Sequence, residues 1–180
     1  MLTIDIKPVM QSISPESVFR GKDAWEKALP QITKLTKSPL ILGRSLYTQN
    51  LRNKIFRDLE NQNLNVDSAN LHFDCCFEDI SRVKKFILKN NNDSVIAAGG
   101  GKVLDSGKYI AESLNLPCIT VPLSASTCAG WTALSNIYTK NGQFIKDVGL
   151  RSCPKILVYD HKFIQTAPSR TLASGIADAL

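Results

Sequence analysis

Ser94-Val95-Ile96-Ala97-Ala98-Gly99-Gly100-Gly101-Lys102-Val103-Leu104-Asp105-Ser106-Gly107-Lys108 is the stretch that decides the fold. Its first five residues have the apolar character of a strand buried on both faces. Three glycines follow, after which Val103, Gly107, Ile110, Ala111 and Leu114 fall on one helical stripe. A buried strand that runs through a glycine turn into a helix is an arrangement able to bind phosphate. Without a Cβ the backbone approaches a pyrophosphate closely, and the helix N-terminus offers free N–H groups to its charge. The stretch matches neither GxGxxG nor GxxxxGK[ST], so taken alone it also fits a ligand-free turn. Asp105 and Lys108 read as a surface ion pair, or Asp105 as an acceptor for N–H groups of the loop.

The same alternation extends outward. Pro39-Leu40-Ile41-Leu42 is a short apolar run ending at Gly43, and Leu51, Ile55 and Leu59 recur on a helical period. Residues 70–73 read as a strand, and Ile80, Val83, Phe86 and Ile87 as a helix face. Cys118-Ile119-Thr120-Val121 reads as a strand after Pro117. Strand and helix in regular succession predict an α/β fold, a doubly wound, mostly parallel sheet covered on both faces. Residues 134–139 and 143–146, joined by Lys140-Asn141-Gly142, predict a β-hairpin with a type I′ turn. Residues 155–159 predict a return strand, and a new helix begins after Pro168.

Composition narrows the setting. The chain has 180 residues, 43% of them hydrophobic and 21% charged, enough for one well-buried domain. No apolar run approaches the roughly 20 residues that span a bilayer, so no membrane partner is expected. Residues 1–10 carry Asp5 and Lys7 and lack an apolar core, which argues against a secretory signal and for the cytoplasm. The five cysteines have no CxxC spacing, which fits neither a disulfide framework nor a zinc knuckle. The net charge of +6 is scattered without a dense basic run, so nucleic acid is not expected as a partner.

Four blocks, residues 99–108, 121–127, 133–139 and 167–180, resemble in order and spacing the iron-containing alcohol dehydrogenase superfamily, and its glycerol dehydrogenase branch in particular. The resemblance implies a Rossmann-like, dehydroquinate synthase-like N-terminal domain over residues 1–160. Residues 161–180 would form the first helix of an all-helical C-terminal domain, with the active site between the two. It implies hydride transfer between a metal-bound alcohol or polyol and NAD or NADP. Gly99, Gly100, Gly101 and Lys102 would hold the pyrophosphate, while Leu123, Ser126, Thr132, Leu134 and Tyr138 would line the adenine and nicotinamide ends. Read without the resemblance, Leu134 and Tyr138 are strand core. Asp178 would be the first ligand of a divalent metal, zinc or iron, acting as a Lewis acid on the substrate oxygen.

Three departures matter. His72 and His161 match no metal-ligand pattern, and the family's histidine ligands lie in the helical half, so these 180 residues are expected to bind cofactor without turnover. Cys128 stands where glycerol dehydrogenases carry a substrate-contacting aspartate, which weakens the case for glycerol itself. Arg44 and Ser45 follow the strand at residues 40–42, where relatives that prefer NAD often place an acid; they suit a 2′-phosphate and favour NADP(H). A non-catalytic nucleotide-binding fragment or pseudoenzyme is the alternative function. Dehydroquinate synthase-like and glycerol-1-phosphate dehydrogenase-like chemistries share the loop, but the block Ala133-Leu134-Ser135-Asn136-Ile137-Tyr138-Thr139 favours the glycerol dehydrogenase branch. Leu172, Ile176 and Leu180 would expose apolar surface and favour a homo-oligomer.

Overall fold

The computed structural model describes residues 13–180, apart from the side chains of residues 178 and 179; the N-terminal stretch read for a signal lies outside it. The predicted alternation is present. Its units are β1 (Ser17–Gly21), α1 (Ala24–Leu35), β2 (Pro39–Gly43), α2 (Gln49–Glu60), β3 (Asp67–Asn70), α3 (Phe77–Asn90), β4 (Ser94–Gly99), α4 (Gly101–Leu114) and β5 (Cys118–Pro122). A hairpin of β6 (Leu134–Tyr138) and β7 (Phe144–Gly149) follows, and then β8 (Ile156–Asp160), α5 (His161–Gln165) and α6 (Ser169–Ala179).

Six strands form one sheet in the order β1-β8-β5-β4-β2-β3, and every pair in it is parallel. Side chains of a strand alternate between faces, so neighbouring residues enter different cores. Ile41, Ile96 and Ile119 pack with Trp25, Ile32, Ile55 and Leu59 of α1 and α2. Leu40, Leu42, Val95 and Ala97 pack with Ile80, Val83, Leu104 and Ile110 of α3 and α4. Phe163 carries α5 into the first of these layers. Gly107 faces β4 so closely that a Cβ there would overlap that of Ala97. A glycine at this point lets α4 lie directly on the strand that feeds it.

From β2 the chain moves outward to β3 and then crosses back over β2 to β4, so the order reverses between β2 and β4. The crevice outside the carboxyl ends of these two strands is the position where open α/β sheets bind ligands.

Three local expectations differ from the structure. The third strand runs over Asp67–Asn70, not residues 70–73. Leu71 N still donates to Gly43 O, but His72 N and Phe73 N donate at 2.9 and 2.7 Å to the buried carboxylate of Asp79, which draws them off the ladder. In the hairpin turn Gly142 has φ 80° while Asn141 is not left-handed, so the turn is not type I′. Gly142 N donates to Thr139 O, and the register shifts at Ile137/Tyr138, which is how a three-residue loop with a bulge closes a hairpin. Asp105 and Lys108 are not a surface pair. Their side chains are 7% and 1% exposed and 3.0 Å apart, because β6 covers the outer side of α4.

Candidate functional site

The crevice at the strand reversal opens into a cleft of about 260 Å³ lined by Arg44, Ser45, Thr48, Gly99, Gly100, Gly101, Lys102 and Val103. Two loops build it. Parallel pairing of β2 with β4 sets the loop after Gly43 beside the loop after Gly99. Gly100 is the N-cap of α4 and offers no side-chain acceptor, and no acid occupies the first turn. The positive end of the helix therefore meets no protein carboxylate of its own, and an anionic ligand would satisfy it. A larger hollow of about 610 Å³ lies at the other end of β5, lined by Leu116, Pro117, Cys118 and Arg151. Its charges are spent on ion pairs, Arg151 with Glu112 and Lys155 with Glu16, and it lacks a glycine loop.

Asp74, in the loop between β3 and α3, organises the charge of the cleft. One carboxylate oxygen lies 2.5 Å from Lys102 Nζ and the other 2.9 Å from Arg44 Nη1. The Arg44 contact brings opposite charges together but is poorly directed, for Asp74 Oδ1 makes no hydrogen bond. The Asp74 side chain is 8% exposed, against 43% for Arg44 and 40% for Lys102, so a buried acid holds two cations at the mouth. Lys102 Nζ also sits 4.9 Å from the centre of the Tyr138 ring. Sequence reasoning missed Asp74 and Thr48. Asp74 is the sole acid between Asp67 and Glu78, and only the knowledge that β3 borders β2 would have drawn it in.

The other candidate residues fall in three places. Ser124 and Ser126 share a hydroxyl contact of 3.0 Å, and a Cβ on Gly100 or Gly101 would meet Ser124 Oγ or Thr127 Oγ1, so this loop stands beside the glycines. Leu123 packs its side chain in the core at 1% exposure and meets the site through its backbone, its N–H donating to Gly99 O at 3.0 Å. Thr132 and Leu134 are held farther along α4. Lys108 Nζ donates to Thr132 O at 3.0 Å, to Thr132 Oγ1 at 3.3 Å and to Leu134 O, about 9 Å of helix rise beyond Lys102. Asp105 Oδ2 accepts Asn136 N at 3.3 Å, so that acid serves the hairpin and not the glycine loop.

Cys128 is exposed, and Cys75, Cys76, Cys118 and Cys153 are buried. Burial pushes the Cys75 and Cys118 thiols up to about 12. At pH 8 one thiol of the folded chain, that of Cys128, should react promptly with a disulfide reagent, and all five after denaturation; two or more rapid equivalents in the native protein would contradict this burial. His161 opens α5 and His72 follows β3; among the described residues no group of three or more His, Cys, Asp or Glu is placed to hold a metal. Asp178 lies in α6, its side chain outside the described atoms. No described helix is long and apolar enough to cross a membrane.

The sequence profile of iron-containing alcohol dehydrogenases matches residues 15–161. An uncharacterised oxidoreductase of Synechocystis is 36% identical over 97% of this chain and 46% of its own length. Glycerol dehydrogenase 1 of Schizosaccharomyces pombe is 34% identical over 93% of this chain and 37% of its own length. The crystal structure of glycerol dehydrogenase from the same yeast superposes with a TM-score of 0.83 at 31% identity, covering 97% of this chain and 44% of that one. The chain thus spans about half the length, or less, of the relatives it matches. A parallel sheet with a glycine loop at its reversal, matched along nearly its whole length by these proteins, places the chain in the iron-containing alcohol dehydrogenase family, on its glycerol dehydrogenase-like side.

Proposed function

We propose that this chain forms the cofactor-binding part of an oxidoreductase that moves hydride between an alcohol or polyol and NAD(P). The observation that carries this reading is the convergence of the uncapped α4 N-terminus, Lys102 and Arg44 on one cleft at the strand reversal. Gly99 to Lys102 receive the pyrophosphate. Ser126 supplies a hydroxyl beside it, and Tyr138, under the Lys102 ammonium, forms a wall. Thr132 and Leu134 line the more distant part, where Lys108 holds their backbone carbonyls rigid. The substrate meets the exposed Cys128, a thiol that accepts hydroxyl hydrogen bonds weakly, so an alcohol with fewer hydroxyls than glycerol suits it better. Asp178 would supply one carboxylate to the family's divalent metal, which when bound would polarise an alcohol oxygen. Residues 1–160 with α5 form the cofactor unit, and α6 begins the helical one. Leu172 and Ile176, each 54% exposed, give α6 an apolar strip that a second copy or a helical partner segment would cover.

Titration of the 180-residue chain with NADH and NADPH tests the reading. At least one cofactor should bind without added metal, and Lys102→Ala should weaken it by about 10- to 100-fold, the worth of one charged hydrogen bond. Binding by neither cofactor, with circular dichroism showing a folded chain, would reduce the glycine loop to a structural turn.

A further inference from the structure

Beneath the loop that follows β2 lies a second arginine. Arg52, on α2, is 5% exposed and turns back under this loop. Its Nη2 donates to Ser45 O at 2.9 Å and to Gln49 Oε1 at 2.7 Å, and its Nη1 to Thr48 Oγ1 at 2.5 Å. It fits so tightly below Gly43 that a Cβ there would overlap the guanidinium. All its partners are neutral, and among the described residues no carboxylate pairs with it. Burial lowers the guanidinium pKa from its ordinary value, yet an arginine stays protonated in proteins. A full positive charge is thus held one layer below Ser45 and Thr48, two residues that line the cleft.

Arg44 stands above the same loop. One of its nitrogens lies beside Asp74, a contact of opposite charges that keeps the guanidinium at the cleft mouth with its donors unspent. In folds of this kind the loop after the strand next to the glycine-loop strand reads the adenosine ribose: a carboxylate accepts from the 2′-hydroxyl, whereas an arginine receives a 2′-phosphate. Here the nearby acid, Asp74, faces two cations, and no carboxylate is among the residues that line the cleft.

We propose that Arg44, acting directly, and the buried Arg52, acting through Ser45 and Thr48, make this loop a 2′-phosphate subsite, so that the chain takes NADP(H) in preference to NAD(H). The inference rests on the reading above that the cleft holds a nicotinamide dinucleotide. Arg44 pairs with the phosphate oxygens. Arg52 is a positioning residue: it holds Ser45 and Thr48 in place and adds positive potential from below that water screens little.

Calorimetric titration of the 180-residue chain with NADPH and NADH, at low and at moderate salt, tests the proposal. NADPH should bind about tenfold or more tighter, as expected of a charge-assisted phosphate contact, with the preference shrinking as salt rises. Arg44→Ala should remove most of that preference by weakening NADPH far more than NADH. Arg52→Gln should lower the NADPH-to-NADH affinity ratio, and Arg52→Lys, which keeps the charge, should restore most of it. A strut without an electrostatic role would move both affinities together and leave the ratio unchanged, which would overturn the part given to Arg52. Should Arg52→Gln fail to fold, the wild-type ratio and Arg44→Ala still decide. Equal or tighter binding of NADH overturns the 2′-phosphate subsite and leaves the dinucleotide site standing. Absence of binding by both overturns the two together.

Discussion

Asp105→Ala should destabilise the chain by about 3–5 kcal/mol, because it strands the Lys108 ammonium in a dry interior. The Lys108 side chain is 1% exposed, so solvent cannot take over the lost partner. Its remaining acceptors, Thr132 and Leu134, are neutral. Burial pushes the Asp105 carboxyl above its ordinary range even with Lys108 beside it. The stability linked to its proton is therefore fully present below the ordinary carboxylate range and is lost as pH rises through the raised value. The pair is costly to bury and costlier still to break. Urea unfolding of Asp105→Leu, Lys108→Met and the double variant measures this directly. The double variant should fall short of the sum of the singles by about 1–3 kcal/mol, and additivity would mean that the two charges do not depend on one another.

Trp25→Ala should cost about 3–5 kcal/mol, the penalty for emptying the site of a large aromatic side chain, and lower the thermal midpoint by about 6–20 °C. Trp25 has 0% exposure and packs its ring 6.3 Å from that of Phe163. Its indole N–H donates to Asp58 on α2, and its backbone N–H to Asp160 at the end of β8, both at 2.9 Å. One residue thereby joins α1, α2, α5 and the carboxyl end of a sheet strand. Trp25→Phe should recover much of the loss by refilling the volume, leaving the deficit of the indole hydrogen bond; a loss equal to that of Trp25→Ala would locate the effect in the hydrogen bond instead.

Both sites mark where the sequence is hard to read. Apart from β3, whose Asp67-Ser68-Ala69-Asn70 has no apolar run, the strands and helices from Pro39 to Pro122 are legible because each buries a continuous apolar run or a single stripe, patterns with their own period. Ser17–Gly21 and Ala24–Leu35 are not. The first is an edge strand whose inward residues Ser17, Phe19 and Gly21 are only partly covered, and the second carries Pro30 in its interior, a residue that argues against helix. Three apolar contacts of α1, made by Trp25, Ala28 and Ile32, outweigh that local preference. The glycine loop was visible because its chemistry is local. Asp74, Arg52 and the burial of the Asp105–Lys108 pair were not, since each depends on neighbours that only the packing of β3, α2 and the hairpin brings near.

Gly175 of α6 rests against the backbone of Ala125 so closely that a Cβ there would overlap the carbonyl oxygen. The helix bearing Asp178 is therefore keyed to the loop bearing Ser124 and Ser126, with no slack between them. Any sliding of α6 must drag this loop along, and any shift of the loop must tilt the helix. The last helix and the loop after β5 thus share one point of reference, a backbone contact that leaves no room for a side chain between them.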